Sequence, residues 1–363
     1  MTPPPPSPNG PRARASLDAL PSYTPGLPAR PREGVTSYKL SSNETPLGPV
    51  SSVRAVLEAE AGSVNRYPDM SCAALYAAIA DRFDVPTTDL AAATGSVAVL
   101  YHLVQALCEP GDEVVYAWRS FEAYPIAVAA AAATAVQVPV TADGRHDLDA
   151  MAAAITDRTR IVLVCTPNNP TGPAVSQAEL DAFLAKVPPH VLVVVDEAYV
   201  EFVRIDDPID GMAAYRSHPN VVVTRTFSKA YGLAGLRVGF AAAATPIATA
   251  LRAVSLPFGV SSVAQAAAVA SLEREAELME RVDAIVEERA RVVTGLAEVG
   301  WNVPDAQGNF VWLELGDRTV DFAAAAEAAG IMVRPFAGDG ARVTIGEHEA
   351  NDRFIQLAGD WTR

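Results

Sequence analysis

The fold turns on VLVVVDEAY, residues 191–199. Five apolar residues, four of them valine, run without polar alternation into Asp196 and Glu197. A continuous β-branched run suits a strand covered on both faces, as in a parallel sheet between helices. Residues 161–164 (IVLV) form a second such run, and 221–224 and 238–242 continue the series. Residues 71–83 and 97–108 read as helices, and 113–116 as a short strand. Strands alternating with helices predict an α/β sandwich with right-handed crossovers. After Pro257 the pattern changes. Residues 261–296 read as one long, charge-laced helix. Short strands over 310–315, 331–333 and 342–345 then alternate with helices over 319–328 and 349–357. The expected division is a disordered Pro-rich tail over 1–16, an N-terminal arm with part of a small domain over 17–66, a large domain over 67–257, and a small C-terminal domain over 258–363.

Composition narrows the partners. The chain has 363 residues, is 50% hydrophobic and 20% charged, and carries a formal net charge of −15. That balance describes a soluble globular protein and opposes a nucleic-acid partner, which needs a basic face. Cys72, Cys108 and Cys165 are far apart and show no metal-ligand spacing, so no metal site is expected and a reducing cytoplasm fits. Residues 126–140 form the longest apolar stretch, which falls short of the roughly 20 residues that cross a membrane. The N-terminus lacks the apolar core of a secretory signal. Ten of the 28 prolines lie in residues 1–34, while apolar residues and Tyr23 return over 17–27, where an ordered arm is expected. Only three of the 28 basic Lys and Arg residues are lysine: Lys39, Lys186 and Lys229.

Four segments carry chemistry, each at a strand end or in the loop that follows. Ligands of open α/β sheets bind at those carboxyl ends. Asp196 ends the 191–195 run, and a buried acid there needs a partner for its charge; a helix cap is the competing explanation. TRTFSKAYGLAGLR (224–237) clusters Thr226, Ser228, Lys229 and Arg237 among small residues. Hydroxyls and a guanidinium suit a phosphate, and a desolvated lysine forms Schiff bases where arginine cannot. CTPNNPTG (165–172) places Asn168 and Asn169 at another strand end, where a plain turn is the alternative. Gly95 and Ser96 open a helix whose N-terminus attracts anions. One carboxylate, one Schiff-base lysine and a phosphate cup of Gly95, Ser96, Thr226, Ser228 and Arg237 are the parts that pyridoxal phosphate requires.

These segments resemble the fold type I pyridoxal-phosphate aminotransferases, in particular the histidinol-phosphate and aromatic amino acid subgroup. The matching motifs are SSNETPLGP (41–49), NRYPD (65–69), PNNPTG (167–172), DEAYVEF (196–202), TFSKAYGLAGLRVGF (226–240) and RVTIG (342–346). The resemblance implies a large domain with a mostly parallel, seven-stranded sheet between helices, plus a smaller α/β C-terminal domain. It implies that Lys229 holds pyridoxal 5'-phosphate, Asp196 pairs with its ring nitrogen, and Tyr199 and Asn169 contact its phenolic oxygen. Phe121 would stack on the ring, and Tyr67 would reach the cofactor phosphate of a neighbouring subunit in a homodimer. Arg342 would bind the substrate carboxylate, Tyr23 and Asn43 would line the entrance, and Asn309 would help hold the carboxylate. Two departures are visible. Val97-Ala98 stands where relatives often carry an acidic pair, so phosphate contacts there would be largely backbone. Gly308 stands where relatives often have alanine.

The implied reaction is ping-pong transfer of an amino group between an amino acid and a 2-oxo acid such as 2-oxoglutarate. GDEVVYAWRSFEAYPI (111–126) resembles actinobacterial aromatic aminotransferases, which favours phenylalanine, tyrosine or tryptophan over histidinol phosphate. A related decarboxylase or lyase would share the cofactor residues, but a carboxylate clamp at Arg342 favours transamination. A dinucleotide-dependent dehydrogenase is disfavoured, because Gly232, Gly235 and Gly239 lack the required spacing. A non-catalytic binding protein is disfavoured by the intact lysine, acid and arginine.

Overall fold

The computed structural model describes Arg14, Leu20, Gly26 and residues 34–361. Apart from Arg14, Leu20 and Gly26, the expected tail over 1–16 and the arm expected over 17–27 lie outside the described residues, Tyr23 among them, whereas the rest of the 17–66 segment is described from residue 34. A two-residue strand, Tyr38–Lys39 (β1), precedes seven strands that form one sheet. These are Leu90–Ala93 (β2), Glu113–Trp118 (β3), Thr134–Pro139 (β4), Thr159–Cys165 (β5), Leu192–Asp196 (β6), Val221–Thr226 (β7) and Gly239–Ala242 (β8). Their order is β2-β8-β7-β6-β5-β3-β4. Strands β4, β3, β5, β6 and β7 are mutually parallel, and β8 runs antiparallel to both β7 and β2.

The valine runs are continuous because both faces of the sheet are covered. On β6, Val193 and Val195 enter one core cluster while Leu192 and Val194 enter the other. On β7, Val221 and Val223 face opposite to Val222. Strand periodicity is thus intact, but neither side is solvent. The chain leaves β3 outward to β4 and returns through β5 on the other side of β3. That reversal makes a crevice at the carboxyl ends of β3 and β5.

The remaining strands are Phe310–Glu314 (β9), Ile331–Met332 (β10), Arg334–Phe336 (β11) and Gly340–Thr344 (β12). β11, β12 and β9 form an antiparallel sheet in which Arg334 lies directly opposite Arg342. β1 pairs in parallel with β10. One expectation needs correction. The long helix over 261–296 is two helices, Ser262–Glu273 and Glu275–Glu298, separated by Arg274 at φ −114°, ψ 22°. The first is alanine-rich and buried on most sides, whereas the second has a single buried stripe, so the two meet different neighbours. The apolar stretch 126–140 is part of a helix, Ala123–Ala130, followed by β4. Among the described residues no helix is long and apolar enough to cross a membrane.

Candidate active site

A cavity of about 290 Å³ opens at the carboxyl ends of the central strands, and residues from β11 and β12 close its far side. It brings together ten of the residues singled out in the sequence: Ser96, Phe121, Asn169, Asp196, Tyr199, Thr226, Ser228, Lys229, Arg237 and Arg342. Each of the first nine comes from the end of a sheet strand or the loop beyond it. Arg342 comes from β12.

Lys229 is buried, and its Nζ donates to the Ser42 carbonyl at 3.0 Å. Burial, with Arg342 nearby, draws its pKa down from the ordinary 10.5 to about 7. The other two lysines have carboxylate partners: Lys39 is paired with Glu44 at 2.8 Å and Lys186 with Asp149 at 2.5 Å.

Asp196 ends β6 and does not act as a helix cap. Its Oδ2 accepts from the Tyr124 hydroxyl at 2.8 Å, while the buried Oδ1 has no hydrogen-bond partner among the described residues. Burial pushes the Asp196 pKa up, and the Tyr124 hydroxyl pulls it back. Its neighbour Glu197 faces away from the cavity, where Arg225 holds it at 2.8 Å. An acid with one oxygen held and one left bare is prepared to meet a ligand N–H from inside the cavity.

Arg342 and Tyr199 lie in one network. Arg342 Nη1 donates to Asn169 Oδ1 at 2.6 Å, and Nη2 donates to the Ser41 carbonyl at 2.8 Å. Asn169 Nδ2 reaches the Tyr199 hydroxyl at 3.3 Å, and Asn43 Nδ2 reaches it at 3.0 Å. Asn43 is fixed by Thr344, and its carbonyl accepts from Asn309 Nδ2 at 3.1 Å. Asn43 adopts φ 53°, a left-handed conformation that asparagine tolerates better than most residues. Asn43 and Asn309 therefore stand one layer behind the cavity wall. Asn168 also does not reach the cavity: Ser120, Thr171 and the Arg119 carbonyl occupy its side chain.

On the opposite side, Arg237 Nη1 donates to Ser228 Oγ at 3.1 Å and to the Ala234 carbonyl at 2.9 Å. Gly95 has φ 87°, and a Cβ there would stand 2.6 Å from Arg237 Nη2. Glycine at this position lets the guanidinium lie against the start of helix Ser96–Leu107, whose first N–H groups have no side-chain cap. An arginine, two hydroxyls and a helix N-terminus converge there.

Two sequence candidates lie elsewhere. Tyr23 falls outside the described residues. Tyr67 is 83% exposed, with its ring 4.7 Å from that of Phe258 and away from this cavity. Sequence reasoning missed Ser42, Glu44, Glu122 and Arg334, which line the cavity, and Tyr124, which supports Asp196. SSNETPLGP contains Ser42 and Glu44, so the motif signalled the segment without singling them out. Arg334 pairs with Glu122 over 212 positions, and no local pattern announces such a contact.

A doubly covered sheet with a buried lysine, an acid and an anion cup at its strand ends defines a fold type I group-transfer enzyme. The chain belongs to the class I and II aminotransferase family, whose model matches residues 36–357. It is 59% identical over 351 residues to an aromatic amino acid aminotransferase of Streptomyces avermitilis, covering 97% of this chain and 98% of the relative. It is 55% identical over 348 residues to the protein of that name from Thermobifida fusca, covering 96% of each. A histidinol-phosphate aminotransferase from Sinorhizobium meliloti, solved in complex with pyridoxal-5'-phosphate, superposes with a TM-score of 0.85 at 27% identity, covering 96% of this chain and 97% of that one.

Proposed function

We propose that the protein transfers amino groups between aromatic amino acids and 2-oxo acids, with pyridoxal 5'-phosphate as cofactor. The bare, buried Oδ1 of Asp196, in the same cavity as the buried amine of Lys229, carries this reading. It leaves an acceptor where a protonated ring nitrogen is needed and a nucleophile for an aldehyde. Thr226, Ser228, Arg237 and the backbone at Gly95 and Ser96 would hold the phosphate, and Phe121 would cover the ring. Tyr199 and Asn169 would hold the phenolic oxygen, with Asn43 fixing the Tyr199 hydroxyl. When bound, the cofactor supplies an electron sink for breaking the substrate's Cα–H bond.

The chain's own residues then do the positioning. Arg342 receives the α-carboxylate through its planar fork, in exchange for part of its bonding to Asn169 and Ser41. Lys229 Nζ accepts the α-proton, and a pKa near 7 suits a base that must also give the proton back. Asn309, through Asn43, keeps this wall in place. Two pieces extend the reading. The exposed Tyr67, Met70, Leu256 and Phe258 form an apolar face suited to a second copy, which would bring Tyr67 to the partner's phosphate. Residues 67–257 would carry the cofactor and 258–363 the carboxylate clamp.

The names of the relatives and the aromatic wall of Phe121 and Phe336 support aromatic substrates. A histidinol-phosphate reading has one observation in its favour, a second cavity guanidinium, Arg334. The test is spectroscopic and kinetic. Holoenzyme should show a visible cofactor band that phenylalanine bleaches and a 2-oxo acid restores, with kcat/KM for phenylalanine above that for histidinol phosphate. Turnover by Lys229→Ala would overturn the mechanism, and the reverse substrate ranking would overturn the specificity.

A further inference from the structure

Arg334 and Arg342 are direct partners across the β11–β12 pair, so both side chains project from the same face of that sheet into the cavity. Two guanidiniums placed side by side repel one another unless a counter-charge intervenes. The structure treats them differently. Arg342 is held by the neutral oxygens of Asn169 and Ser41. Arg334, with only 4% of its side chain exposed, forms an ion pair with Glu122, which also lines the cavity. Glu122 sits at the start of helix Ala123–Ala130, beside Phe121.

The ring of Phe336 lies on the same wall. Arg334 Cζ is 5.4 Å from its centroid, Arg119 Cζ is 5.4 Å away, and Arg342 Cζ is 6.0 Å away. Arg119 has its own carboxylate partner, Asp339. Two of the three cations around this ring are therefore neutralised within the protein. What the wall offers beyond the carboxylate clamp is an aromatic face with its charges cancelled.

We propose that Glu122, acting through Arg334, sets the charge that the site accepts on a substrate's side chain: by cancelling Arg334 it admits neutral rings and rejects phosphate-bearing side chains. This rests on the aromatic reading above and names a determinant for it. Without the Glu122 carboxylate, the Arg334 guanidinium loses the counter-charge of this ion pair, and a phosphate or phosphonate dianion is well matched to supply it. Without Arg334, the Glu122 carboxylate faces the same dianion and repels it. The two removals push specificity in opposite directions, which a merely structural pair would not do.

The experiment compares holoenzymes of wild type, Glu122→Gln and Arg334→Gln. The amino donors are phenylalanine and 2-amino-4-phosphonobutanoate, which keeps the α-carboxylate but replaces the ring with a dianion that cannot leave. Binding of the unreactive 3-phenylpropionate and 3-phosphonopropionate, measured calorimetrically, gives a second readout independent of turnover. Glu122→Gln should raise the phosphonate-to-phenyl ratio by about tenfold in both measurements, and Arg334→Gln should lower it. A ratio that moves less than about threefold in Glu122→Gln, or in the same direction in both variants, overturns the proposal. If Glu122→Gln does not fold, the sign of the Arg334→Gln change decides alone. A wild-type enzyme that prefers the phosphonate overturns the aromatic reading instead, and the variant ratios still report on Glu122.

Discussion

Tyr124 is foremost among the groups that offset the effect of burial on Asp196. Its hydroxyl is the hydrogen-bond donor to Oδ2, and it opposes the rise in pKa that burial imposes. Tyr124→Phe should therefore raise the Asp196 pKa further. A carboxylate with a raised pKa is lost to protonation as pH falls, so the acid limb of the kcat/KM profile should move to higher pH. Activity at neutral pH should fall by about tenfold, the usual cost of stranding a buried acceptor. A profile with an unmoved acid limb would show that Tyr124 does not act on this acid. Lys229 and Asp196 were legible because Asp196 ends, and Lys229 lies just beyond, a strand whose composition is unmistakable. Tyr124 was not, because it lies 72 positions before Asp196 in an alanine-rich stretch without periodicity. The Glu122–Arg334 pair was hidden for the same reason: ion pairs are selected by tertiary proximity, which a single sequence does not encode locally.

At the level of elements, the anion cup depends on how closely helix Ser96–Leu107 approaches β8. A Cβ at Gly239 would stand 2.5 Å from the Ser96 nitrogen and 2.8 Å from the Arg225 carbonyl oxygen, both backbone atoms. Neither can swing aside as a side chain would. Gly239→Ala should push the helix start away from Arg237 and cost about 1–3 kcal/mol, as overpacking does. Calorimetry should show a lower unfolding temperature, and titration with pyridoxal phosphate should show weaker binding. Normal affinity in the variant would show that the helix start does not contribute to the cup. The strands of the central sheet were readable from valine runs, since burial on both faces leaves no polar positions to blur them. The helix Ala123–Ala130 and β4 were not, because alanine fits a helix interior or a covered strand equally well. The break at Arg274 was missed for a related reason: both flanking segments favour helix, and only their different neighbours separate them.

For the whole molecule, the buried amine of Lys229 links stability to pH. In the unfolded chain it titrates at its ordinary 10.5, and in the folded protein without cofactor at about 7. Between those values the unfolded state holds more protons, so this group's contribution to stability improves as pH rises. The penalty is fully present below about 7 and fades toward the ordinary value. The melting temperature of cofactor-free Lys229→Ala minus that of cofactor-free wild type should therefore shrink as pH goes from about 6 to about 9. A difference that stays constant with pH would show that the amine is not desolvated. The network around Arg342 has another consequence, for the order of synthesis. The Ser41 carbonyl and Asn43 are joined to Arg342 and Thr344 across 301 positions of sequence. Ser42, whose carbonyl holds Lys229, is made 187 positions before it. A chain still on the ribosome can complete the central sheet and its lysine while the substrate clamp does not yet exist. Competence arrives late and all at once, when the last strands emerge and close over a segment that has waited for most of translation.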